Sequence, residues 1–343
     1  GEDYEDIYLN LFMALTYYRL GLFEETVVEI RALNEELTML EDKNRKIAEK
    51  ENYSDDKRPE IKINNNRFYS SALARYLSML VYLSEGNVDE ALIDKEKIHE
   101  AFRTQSELYN FPEPPLDIYF NHSSKVKLNF LSFVGRSPIK HSWNMKVDSY
   151  TNGVSIFIEE NGQWNFFEQI IWPGIKPGLN IKFSLPKMQK RGTNINRVEV
   201  LVNGRIETVL TPIESLENIA METYKIKEPI IYLKSIARSL GKAIANETLN
   251  RELDKETGGG LLGSLTRFAT GAALGATENA DLRGSRYLPS LALVGCIELD
   301  VGIYDIQINY LDEYGNIIYS DFHDNQMVKK NSGKNLFESV CLN

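Results

Sequence analysis

Gly258-Gly259-Gly260-Leu261-Leu262-Gly263 fits the G-x-G-x-x-G spacing with which a turn can cradle a dinucleotide. Such a turn works where a strand feeds the glycines and a helix leaves them, so that main-chain N–H groups meet the pyrophosphate. Here Arg251-Glu252-Leu253-Asp254-Lys255-Glu256 comes first, a charged helix end, and no phosphate-loop Lys follows. The glycines read as a helix breaker, and no cofactor is expected. His99, His122, His141 and His323 lack metal-ligand spacing with one another or with Cys296, so no metal is expected either. No G-x-S-x-G string occurs, and neither cysteine has a His near it in sequence. Glu159, Glu160 and Glu168 border strands and a hairpin, where carboxylates face water. A glycosidase would need two that converge about 5–9 Å apart. No catalytic residue is assigned, and the chain is expected not to be an enzyme. Asp281, Arg283 and Arg286 are left with two readings. They form a paired network that orients a loop, or they hold a carboxylate or phosphate of a ligand.

Residues 261–276 are mostly apolar and small, and Gly271-Ala272-Ala273-Leu274-Gly275 would let two helices approach closely. As a membrane span the stretch fails, because about 18–20 uninterrupted apolar residues are needed and Arg267 and several hydroxyls intervene. Three readings stay open: a mobile loop, a helix tucked against the β portion, or a segment that inserts into a partner or a membrane surface.

The elements that would position these residues follow from pattern. The chain has 343 residues, enough for two domains with real cores. A net charge of −10 and a pI near 5.2 argue against nucleic acid, which needs a concentrated positive surface. One internal repeat stands out. Tyr17, Gly21, Glu25 and Thr26 line up with Tyr82, Gly86, Glu90 and Ala91, the tetratricopeptide (TPR) pattern of two antiparallel helices about a glycine turn. A generic helical bundle is the competing reading. Ile30, Leu33, Leu37, Leu40 and Ile47 extend the second helix to about Glu51. The concave face would present Tyr8, Leu11, Tyr18, Arg19, Tyr76 and Leu80 to a peptide, or would pack on the rest of the chain.

Pro112, Pro114 and Pro115 close the helical region, and the apolar period then changes to two. Ile181, Phe183 and Leu185 alternate with polar residues, as do Val198, Val200 and Val202. Asn161-Gly162 and Asn203-Gly204 sit between such runs and predict hairpins. Leu233, Ile236, Ala237, Leu240 and Ile244 mark an amphipathic helix between the early and the last strands. The fold class expected is α+β. TPR-like hairpins occupy residues 1–112, and an antiparallel β-sandwich-like domain occupies 113–343 with a helical, Gly-rich insertion at about 213–280.

Four strings in this order resemble a family of uncharacterised bacterial tetratricopeptide-containing envelope lipoproteins. They are Gly1-Glu2-Asp3-Tyr4-Glu5 leading to the Gly21 turn; Ala74-Arg75-Tyr76-Leu77-Ser78 leading to Gly86; Gly135-Arg136-Ser137-Pro138-Ile139-Lys140; and Asp281-Leu282-Arg283-Gly284-Ser285-Arg286-Tyr287-Leu288-Pro289. Ser285 departs from the pattern, standing where a Trp often follows. The resemblance implies export, a lipid-modified Cys upstream and a periplasm-facing or surface location. The opening has no initiator Met and reads as an artificially cut or a processed start, so a missing export signal says nothing about location. Membrane association would come only through that upstream anchor.

A protein-binding scaffold or adaptor in the envelope is therefore the expected function, with other envelope proteins or peptides as partners. Two alternatives stand: a subunit of a secretion or assembly machine that uses residues 258–276, or an enzyme or carrier for a cell-wall or lipid ligand. Cys296 and Cys341 read as unrelated thiols, and pairing between them is left open.

Overall fold

The computed structural model describes residues 3–53, 68–251, 282–330 and 335–343. Asp281 and residues 258–276 lie outside them, so the readings of both stand untouched. Helix α1 (Asp3–Leu20) folds back on α2 (Phe23–Tyr53) at Gly21, and α3 (Ala72–Glu85) folds back on α4 (Val88–Thr104) at Gly86. Both glycines are left-handed, with φ of 75° and 79°. A Cβ on Gly86 would meet nothing within 4 Å, so this turn needs the conformation of glycine and not its small size. The Asn87 N–H closes the turn on the Tyr82 carbonyl at 2.8 Å. Ser71 caps the start of α3 by accepting the Ala74 N–H.

The strands are β1 (Val126–Val134), β2 (Ile139–Tyr150), β3 (Gly153–Glu160), β4 (Gln163–Ile171), β5 (Asn180–Gln189), β6 (Arg197–Val202), β7 (Arg205–Val209), β8 (Thr211–Ser215), β9 (Leu291–Leu299), β10 (Gly302–Leu311), β11 (Ile317–Val328) and β12 (Leu336–Cys341). Helix α5 (Leu216–Arg251) lies between β8 and β9, where a helical insertion was expected. Both Asn-Gly pairs make two-residue hairpins, with φ of 51° and 77° at Asn161-Gly162 and 49° and 78° at Asn203-Gly204.

The described residues form an α+β fold with three sheets. The first runs β12-β1-β9-β8, the second β11-β10-β6-β7 and the third β4-β3-β2-β5. Pairing is antiparallel except between β1 and β12. Alternation along β1 explains the layering. Leu128 and Phe130 turn toward Val198, Val200 and Ile308 of the second sheet. Leu131 and Phe133 turn the other way, into a core shared with Leu11, Leu73 and Leu77 of the helices. The third sheet packs Val147, Val154 and Ile156 against Ile236 and Ala237 of α5.

One expectation changes. Period-two runs at residues 139–189 belong to a sheet of their own, seated on α5, because among the described residues no register joins them to the other two sheets. One core runs from α1 and α3 to β9, across residue 112. The cysteines are also placed. Cys296 points into the helix-side core and Cys341 into the core between the sheets, so β1 and its neighbours lie between two separate free thiols.

Candidate functional site

The face offered to a peptide is filled by the chain itself. Tyr8, Leu11, Tyr18, Tyr76 and Leu80 are all buried, packed with Leu131, Phe133 and Val294 of the first sheet. Phe12 adds a ring contact to Phe133 at 5.3 Å. Only Arg19 stays at the surface, paired with Glu338 on β12 at 3.3 Å. An amphipathic helix face must be covered, and here it is covered from within.

At the centre of that packing sits a carboxylate that sequence reasoning missed. Glu214 of β8 is fully buried and accepts the hydroxyls of Tyr8 at 2.8 Å, Ser71 at 2.8 Å and Tyr109 at 3.0 Å. The Leu73 N–H adds a fourth donor at 3.1 Å. Burial raises its pKa, against the opposing pull of these donors. Burial likewise pushes the phenols of Tyr8 and Tyr109 well up, so both stay protonated and donate. Glu214 thus ties α1, α3 and the segment after α4 to β8. The four donors engage both of its oxygens, which makes it a joint between elements. The missed signal is a bulge: the β8–β9 register shifts between Pro212 and Glu214, so Ile213 and Glu214 both turn inward against the alternation.

Three of the strings behind the family resemblance meet in space. The Ser137 N–H bonds the Leu288 carbonyl at 2.8 Å, and the Ser290 N–H bonds the Val134 carbonyl at 3.0 Å. Arg191 clamps both segments, reaching the Ser137 carbonyl at 2.6 Å and the Arg286 carbonyl at 2.8 Å. Lys140 holds the Arg283 carbonyl at 2.9 Å, and the Glu5 carboxylate accepts the Ser285 N–H. Arg283 and Arg286 therefore come together at one seam, around a cavity of about 200 Å³ that Arg286 lines with Pro138 and Met188. Among the described residues, Lys140 and Arg191 hold this loop by its main-chain carbonyls. Gly135 makes the seam possible. Its φ is 63°, and a Cβ there would stand 2.9 Å from that of Thr193 and 3.1 Å from that of Ser290.

A larger cleft of about 610 Å³ opens between the end of α3 and the edge of the first sheet. Lys125, Lys127, Lys330 and His122 line it, and among the described residues no Asp or Glu does. The Lys127 ammonium is held at its base by the carbonyls of Tyr119 at 2.8 Å and Asn121 at 2.7 Å.

The third sheet shows a different surface. All three tryptophans belong to this lobe: Trp143 on β2, Trp164 on β4 and Trp172 just after β4. Registers put Trp164 and Phe166 on the face turned from α5, beside Glu159 and Phe157. Charges on this face are matched internally. Lys146 pairs with Asp148 at 3.1 Å and lies 4.4 Å over the Phe157 ring, and Lys182 lies 5.3 Å from the centre of Trp164. At the sheet margin, Phe166 is 61% exposed and Ile171 75%.

Among the described residues no three His, Cys, Asp or Glu gather so as to hold a metal ion, and no helix is long and apolar enough to cross a membrane. Comparisons with protein-family models, curated proteins and solved structures return no match for this chain.

Proposed function

We propose that the protein is a non-enzymatic cell-envelope lipoprotein, a scaffold or adaptor that takes hold of a partner protein with the β2–β5 lobe. The observation that carries this reading is the margin of β4, which no other strand pairs among the described residues. This strand ends its sheet, spans nine residues and holds one charge, Glu168. Edge strands in soluble proteins are kept from pairing by lysines, prolines or covering loops. β4 contains no Lys and no Pro, and it shows Trp164, Phe166 and Ile171 along one face. Such an edge accepts an added strand, with main-chain bonds giving affinity and alternate side chains giving specificity. Since Lys146 and Lys182 on this face already have partners, the segment that fits is extended, apolar at alternate positions and largely uncharged.

The TPR-like reading of the hairpins and the sandwich reading of the first two sheets belong to this proposal. In it the helices brace the sheets, and the lobe on α5 does the binding. Support for the envelope setting comes from the four strings, two of which lie against each other at the seam held by Arg191. The test uses the full-length protein in its native cells. The wild type should fractionate with the membranes and co-purify with a partner that Phe166→Glu/Ile171→Glu releases, while the variant keeps the wild-type Tm. A protein found in the cytosol, or a partner set unchanged by the double substitution, would overturn the reading.

A further inference from the structure

We infer that the cleft between α3 and the edge of the first sheet binds a small anion carried on a hydroxylated ring, an acidic sugar or a sugar phosphate. Its volume of about 610 Å³ falls within the range of small-molecule sites. In a chain with a net charge of −10, a lining with three lysines and, among the described residues, no carboxylate marks a local reversal of sign. The nearest acid in register is Glu298, directly across from Lys127 in the β1–β9 pair, and Ser123 holds it at 2.8 Å. Lys127 spends two of its three N–H bonds on carbonyls, which fixes its charge at the base of the cleft. Lys125 and Lys330 are exposed and free to close on an anion from the mouth.

The rest of the lining specifies the body of the ligand. Leu83, with the small exposed edges of Leu80 and Tyr119, supplies an apolar wall suited to the face of a ring. Asn129 has a buried side-chain oxygen with no hydrogen-bond partner among the described residues, an acceptor in want of a donor. Leaving such an atom unpaired costs about 1–3 kcal/mol. A ligand hydroxyl would satisfy it. The inference uses no residue of β2–β5 and stands or falls apart from the adaptor reading.

Titration calorimetry with glucuronate, glucose 6-phosphate, glucose and inorganic phosphate tests it. At least one acidic sugar should bind about tenfold or more tightly than glucose and than phosphate, and its affinity should fall with added salt. Glucuronate against glucose 6-phosphate tells a carboxylate from a phosphate. Lys125→Glu/Lys330→Glu should weaken binding by about tenfold or more. Both lysines are exposed, so the fold should survive, which an unchanged Tm verifies. If the Tm drops, the salt dependence of wild-type binding decides in its place. The inference fails if neither acidic sugar binds, if glucose or phosphate binds as tightly, or if salt and the double variant leave affinity unchanged.

Discussion

The phenol of Tyr8 on α1 donates to the carboxylate of Glu214 on β8 at 2.8 Å, across 206 positions of sequence. Ser71, Leu73 and Tyr109 meet the same group, so three parts of the helical region are fastened to one residue of the first sheet. Helices and sheet should therefore unfold together. Tyr8→Phe removes one donor to a charged group and should cost about 1.5–3 kcal/mol. Glu214→Ala strands several buried donors and should cost about 3–5 kcal/mol. Urea unfolding followed by far-UV circular dichroism and by tyrosine fluorescence checks both values, and the two probes should give one coincident transition.

Glu214 also sets a pH dependence. Its folded pKa lies above the ordinary 4.5 because it is buried without a cation. The folded state therefore holds this proton more tightly than the unfolded chain. Its contribution is complete below pH 4.5 and declines as pH rises through the raised value. Asp94 and Glu338 shift in the same direction, so the comparison must be by difference. Against Glu214→Gln, the stability of the wild type should fall as the pH is raised from 4.5. A difference that stays flat or grows would show that Glu214 is not proton-binding in this way.

Gly135 and Gly86 share a left-handed backbone but differ in room. Gly86→Ala meets open space and should cost about 1–2 kcal/mol. Gly135→Ala adds a clash with Thr193 and Ser290, and should cost about 2–4 kcal/mol. Thermal melts rank the two, and hydrogen exchange in Gly135→Ala should quicken at residues 283–290.

Arg191→Ala should loosen the same segment without touching the core, because its guanidinium holds the carbonyls of Ser137 and Arg286. The expected loss is about 1.5–3 kcal/mol. Limited proteolysis near residues 283–287 should then be faster than in the wild type.

Cys296 and Cys341 should stay reduced in the folded protein under diamide, because they face opposite cores. Burial pushes the Cys296 thiol up to about 12, which leaves little thiolate to react. Thiol labelling should accelerate only when the protein unfolds. A disulfide formed in the native state would contradict the placement.

Local chemistry was legible in sequence and long-range pairing was not. Gly21, Gly86 and the two Asn-Gly pairs each declare their turn through a backbone demand that neighbours cannot alter. The apolar face of α1 was visible too, but nothing in Tyr8 or Leu11 says whether a peptide or the chain's own sheet covers them. Glu214 escaped because a bulge in β8 breaks the alternation by which its direction would be read. The cationic cleft escaped because Lys125 and Lys330 lie far apart in sequence and meet only through the fold.

The most direct test of the adaptor reading is site-specific photocrosslinking in native cells. A benzoylphenylalanine placed at Phe166 on β4 should give one discrete adduct with a partner protein in the envelope fraction. The same group at Phe322, exposed on β11 of the second sheet, should give none. An empty lane at position 166, or the same adducts from both positions, would contradict the claim that β4 is where this protein is bound.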